Sequence, residues 1–134
     1  MNIEYLNKLK EVDNIYDAKI TEDEKVVFTS KLKTFGTEKQ QNLGIDAKLT
    51  MTNKNIFIDN GSVTFKINIL DDIVDCRKEE NKFLFIKNTY FRINLNKVVV
   101  FNEGKIKFNG YVLYFDKVGT SEFEEIINNL FMYK

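Results

Sequence analysis

The chain has 134 residues, 20 basic and 20 acidic side chains, one Cys, and no His, Pro or Trp. That length supports one domain, and a net charge of zero supplies no global field for concentrating nucleic acid or an anionic membrane. The lack of His excludes a Ser-His-Asp triad, an imidazole base and His-ligated metal, while a single Cys excludes an internal disulfide and a thiolate-rich metal site.

The first residues, Met1 to Tyr5, carry neither a basic n-region nor an apolar h-region, and with the lone thiol this points to a cytoplasmic protein. Tyr5, Leu6, Leu9, Val12 and Tyr16 recur at helical spacing, which predicts an amphipathic helix from Asn2 to about Tyr16, with Asn2 as N-cap. An isolated helix of that length is marginal, so it is expected to dock on its own domain. The organisation expected is thus a single domain over 1–134, with a helical appendage at 1–19 and the body at 20–134.

From Lys25 the hydrophobic period switches to two. Val26, Phe28, Ser30 and Leu32 alternate with Val27, Thr29, Lys31 and Lys33; Leu43, Ile45, Ala47, Leu49 and Met51 do the same. Ile56 to Ile58, the hairpin signal Asp59-Asn60-Gly61, and Val63 to Ile69 follow. Further strands are predicted at Ile73 to Arg77 and Phe83 to Ile86, around a charged turn at Glu79 to Lys82. Tyr90 to Leu95, Val98 to Phe101, Ile106 to Phe108 and Tyr111 to Phe115 complete the set, with turns at Glu103-Gly104 and Asn109-Gly110. Such alternation describes antiparallel strands with one face on a core and one in water.

The chain closes on a predicted helix. Ser121-x-x-Glu124 has the form of a capping box, and Phe123, Ile126, Ile127 and Leu130 form one apolar stripe. Glu122, Glu124 and Glu125 near its start and Lys134 at its end would complement the helix dipole.

Ala47-Lys48-Leu49-Thr50-Met51-Thr52-Asn53-Lys54-Asn55-Ile56-Phe57-Ile58 resembles the second and third strands of bacterial PH-like and GRAM-like domains. Ile67-Asn68-Ile69-Leu70-Asp71-Asp72-Ile73 is similar to the segment that follows in those families, and Ile20 to Val27 to their first-strand approach. The resemblance covers about Ile20 to Leu130. It implies a mainly β (α+β) fold: a PH-like antiparallel β-barrel or roll with a C-terminal capping helix, here with an additional N-terminal helix. It departs from the pattern in placing Gly44 early and in a Tyr90 to Phe108 stretch long enough for an extra hairpin.

The resemblance also implies a place to look for a ligand, the loop joining the first two strands. Lys31, Lys33, Lys39 and Lys48 are candidates there for holding a phosphorylated lipid head group, although no Arg is near for forked contacts. Phe35 in the same loop is a candidate membrane-inserting or partner-binding aromatic, set against the reading in which it folds back onto the barrel mouth. Lys105 and Lys107 flank strands that would supply an exposed edge, open to a partner strand or a second copy, or guarded by those lysines. Asp71, Asp72 and Asp75 lack the spacing and the Gly of a Ca²⁺ loop, and Cys76 has no base to activate it. Neither metal nor cofactor is expected. The function expected is a small non-catalytic PH-like binding or adaptor module for an unidentified protein partner, not nucleic acid. The alternatives are peripheral membrane or phosphoinositide binding through the four lysines, and carriage of a small lipophilic ligand.

Overall fold

The computed structural model describes residues 1–133, the side chain of Phe83 excepted. Its elements are α1 (Ile3–Lys8), β1 (Val26–Thr37), β2 (Asn42–Thr52), β3 (Asn55–Asp59), β4 (Thr64–Asn68), α2 (Ile69–Asp72), β5 (Ile73–Phe83), β6 (Ile86–Phe101), β7 (Ile106–Phe115) and α3 (Lys117–Leu130). The seven strands form one antiparallel sheet in the order β4-β3-β2-β1-β7-β6-β5. Consecutive strands pair throughout except β4 and β5, and at the β1–β7 seam the last strand returns to the first. The sheet is not closed: β4 and β5 form its two edges, although α2 is all that separates them in the chain.

The alternating pattern is realised because the sheet curls so that one face encloses the core, with α3 packed against β1, β5 and β7. Phe123 of α3 sits with its ring centroid 4.9 Å from Phe91, 4.8 Å from Phe115 and 5.9 Å from Phe28. A second group of rings, Phe35, Phe65, Phe101, Phe108 and Tyr111, packs at centroid separations between 5.0 and 6.1 Å.

Several sequence expectations shift for identifiable reasons. The N-terminal helix covers Ile3–Lys8 and not the stretch to Tyr16. Its end is held by the Lys25 Nζ, which donates to the carbonyls of Asn7 and Leu9, after which the Val12 N–H bonds to the Val26 carbonyl and draws the chain along β1. The C-terminal helix begins earlier than its capping-box signal. Asp116 is the N-cap, its Oδ1 accepting from the Gly119 N–H at 2.7 Å, so Ser121 lies inside the helix and the three glutamates lie beyond its first turn. Lys134, expected at the end of that helix, lies outside the described residues.

Strand number shifts as well. Glu79 to Lys82 is not a turn; β5 runs through it to Phe83, and the reversal falls at Leu84-Phe85. Asn109-Gly110 is not a turn either, so the extra hairpin does not form. Gly110 lies inside β7, where a Cβ would meet the Glu38 side chain and the Ile93 carbonyl oxygen, each at 3.3 Å. Ile45, expected on the core face, is 63% exposed, next to Asp46 with its positive φ of 50°. No helix among the described residues is long and apolar enough to cross a membrane.

Candidate functional site

The four lysines expected around the first loop do not converge. Lys31 and Lys48 are register partners on β1 and β2, both exposed, and Lys33 is exposed one alternation further along β1. Lys39 stands in the turn at the other end of that hairpin, roughly 20 Å along the strand from Lys31. Its Nζ donates to the Lys107 carbonyl at 3.2 Å. The Lys48 Nζ lies 5.9 Å from the centre of the Tyr16 ring, beside a groove of about 530 Å³ between the 16–19 segment and the outer face of β2 to β4. Phe35 is 1% exposed and packs edge-on against Phe65 at 5.6 Å, so it belongs to the core and is no contact surface for a partner.

The expected edge at Ile106 to Phe108 is capped from within the molecule. The Glu38 N–H donates to the Gly110 carbonyl at 3.1 Å, and the Glu38 carboxylate accepts from the Asn109 N–H at 3.1 Å. With Lys39 on the Lys107 carbonyl, the β1–β2 turn occupies the flank of β7 that β1 does not reach. Lys107 is exposed on the strand, paired in register with Val100, and Lys105 is exposed in the turn before β7.

The open edge lies elsewhere. β6 pairs with β5 only as far as Leu95, and its continuation to Phe101 pairs with β7 on one side. The other side of that continuation and the edge strand β4 line one groove of about 280 Å³. Val63, Phe65 and Ile67 contribute from the β4 side, Leu95, Val99 and Phe101 from β6. The Phe65 ring lies 5.1 Å from Phe101 and 6.1 Å from Tyr111, so side chains span the gap where ladder hydrogen bonds are missing. Its charged rim is Lys66, which lies over the Phe57 ring at 5.9 Å, and Lys97, paired with Asp72 at 3.2 Å. Asp72 also accepts from the Asn68 N–H at 2.8 Å, which fixes α2 as a single tight turn.

The edge of β5 is treated differently. The Arg77 guanidinium lies 5.1 Å above the Tyr133 ring, beyond the end of α3, and Lys78 pairs with Glu124 of α3 at 2.5 Å. Cys76 is buried with its thiol held well above the ordinary range, by burial first and the nearby Asp75 second. That is the opposite of what a nucleophile needs.

Sequence reasoning placed Val98 to Phe101 at an exposed edge but not β4 opposite it. The signal was thin, since an edge strand and an inner strand share the same alternation. No protein-family model matches the chain, and no curated protein and no solved structure matches it significantly.

Proposed function

We propose that the chain is a non-catalytic PH-like module that binds a protein partner by adding an extended segment of that partner to the edge of β4. The strand order, with the last strand returning beside the first and a C-terminal helix laid over the ring-packed face, supports the PH-like reading. The observation that carries the binding reading is the unclosed sheet. β4 offers five residues of unpaired backbone edge beside an apolar groove, and the far end of β6 faces it. A partner strand would gain main-chain hydrogen bonds from β4 and would bury alternate side chains against Val63, Val99 and Phe101. The 38–39 turn covers the free flank of β7, and β4 is the sheet edge that lies beside the apolar groove. The lysine reading has less support, because Lys39 is engaged with β7 at a distance from Lys31 and Lys48. The carrier reading has less still, given the rings that fill the interior.

The test is selection of extended peptides from a displayed random library on the intact protein, followed by NMR of the labelled chain with a selected peptide. Amide shifts confined to Thr64–Asn68 and to the Val99 to Phe101 stretch are expected. Shifts confined to another face, or a library that yields no binder, would remove this reading.

A further inference from the structure

We propose that the tip of the β5–β6 hairpin is a membrane anchor that inserts into an anionic lipid bilayer, a second surface independent of the β4 edge. Leu84, Phe85 and Ile86 at the reversal are 81%, 104% and 63% exposed. Phe85 therefore meets essentially nothing of its own chain. Burying an apolar side chain is worth ~1.5–3 kcal/mol for Phe or Leu, so such a tip is a strong sink for any apolar phase that reaches it.

The choice of residues at the turn argues in the same direction. A two-residue hairpin loop favours Asn, Asp or Gly, because the backbone must adopt positive φ. Here Leu84 takes φ 58°. A bulky residue in that conformation costs on the order of 1 kcal/mol, so Leu84 is a poor choice for folding alone.

Charge and depth select a bilayer over a protein pocket. The next rung behind the tip pairs Lys82 with Lys87, and Asn81 with Asn88 lies behind that; no acid stands among residues 81–88, although the Lys87 Nζ pairs with Glu80 at 3.1 Å. From the lysine rung to the turn is roughly 7 Å at one strand rise per residue, close to the depth from lipid phosphates to the acyl boundary. Across Arg77 to Arg92 the hairpin carries five basic residues against Glu79 and Glu80, a local excess of three in a chain of net zero. Both arginines of the chain are there, as register partners. Leu84, Phe85 and Ile86 are consecutive and all exposed, so apolar surface covers the tip. A fluid acyl layer accommodates that shape, whereas a protein pocket matches one face.

The chain has no Trp, so Phe85→Trp introduces a single reporter. The protein is mixed with vesicles of phosphatidylcholine alone or enriched in phosphatidylserine, and co-sedimentation and indole emission are read together. Expected are partition into the anionic vesicles only, a blue shift, and quenching by bromine-labelled acyl chains. Phe85→Ala should lower partition about tenfold to hundredfold, and removal of Lys82 about fivefold, with a smaller loss for Lys87, which pairs with Glu80. Leu84→Asn suits the positive φ, so it should keep or raise the melting temperature while weakening partition. Unchanged melting of Phe85→Ala separates loss of the anchor from loss of fold. No partition into anionic vesicles overturns the proposal. So does partition without a blue shift, which would place the contact at Lys31 and Lys48, and so does a protein ligand that needs Phe85 while vesicles do not bind. None of these outcomes touches the amide shifts at β4, so the two readings fail separately.

Discussion

The Thr52 hydroxyl donates to the Glu24 carboxylate at 2.6 Å, tying the segment ahead of β1 to the end of β2. The same oxygen of Glu24 accepts from the Asn55 side-chain amide at 3.0 Å, and its other oxygen accepts from the Thr21 N–H at 3.0 Å. Thr52 in turn accepts from the N–H groups of Lys54 and Asn55, closing the β2–β3 turn. Asn53 beside it accepts from the Lys25 N–H at 3.0 Å. The Thr-Asn pair of the sequence motif is thus the fastening point of three segments. Glu24→Ala leaves Thr52 and Asn55 without their acceptor and should cost ~2 kcal/mol, read by urea denaturation.

The same carboxylate makes stability depend on pH. Burial pushes Glu24 up, but the hydrogen bonds from Thr52, Asn55 and Thr21 outweigh it and hold the group below its ordinary value of 4.5. The folded state therefore binds this proton less readily than the unfolded chain. Its stabilisation is present above about pH 4.5 and is lost as pH falls beneath that value. Denaturation midpoints from pH 7 down to about 3 should fall less steeply for Glu24→Gln than for the parent chain; parallel curves would show that Glu24 contributes none of the slope.

Helix α3 should report its true start. Asp116→Ala removes the side-chain acceptor at its N-terminus and should cost ~1 kcal/mol, whereas Ser121→Ala, inside the helix, should change stability by no more than a few tenths. Thermal denaturation of the two variants decides, and the reverse order would return the cap to Ser121.

Gly119 is where α3 touches β1. A Cβ there would stand 2.6 Å from the Ser30 Oγ and 3.1 Å from a Phe115 ring carbon. Gly119→Ala should therefore destabilise by ~1–3 kcal/mol even though Ala is the better helix former. Adding Ser30→Ala removes the nearest clashing atom and should recover part of that loss. Strict additivity in the double-mutant cycle would mean that the contact is not the cause.

Cys76 should behave as an inert core thiol. With its ionisation suppressed by burial, alkylation at pH 8 should be slow in the native protein and fast in denaturant, with the native rate following the opening of the fold. Rapid native labelling would mean that the β5 edge opens locally.

Much of the fold was legible in alternation and stripe. Leu49, Met51, Ile56, Ile58, Ile67, Phe91, Ile93 and Leu113 are all buried as their period of two requires, and Phe123, Ile126, Ile127 and Leu130 as their helical spacing requires. The Asn60-Gly61 hairpin formed, with the Asn60 Oδ1 accepting from the N–H groups of Ser62 and Val63. Turn positions were less legible. Asn109-Gly110 has strong turn chemistry, yet Glu38 requires that backbone to be extended beside it. Leu84-Phe85 has none, yet the pairing of Lys82 with Lys87 puts the reversal there.

The sequence by itself determined which residues alternate, which face of each strand is apolar, and which stretch closes as an amphipathic helix. Those properties depend on side chains a few positions apart, and the backbone period converts them directly into burial. Only the tertiary structure decided that β7 returns beside β1, that the sheet stops short of closure at β4, and that Phe35 turns inward. It also decided that the three exposed residues at Leu84 to Ile86 are left without a cover. Each of these depends on pairing between segments tens of residues apart, where neighbouring residues carry no record of which strand edge is filled and which is left open.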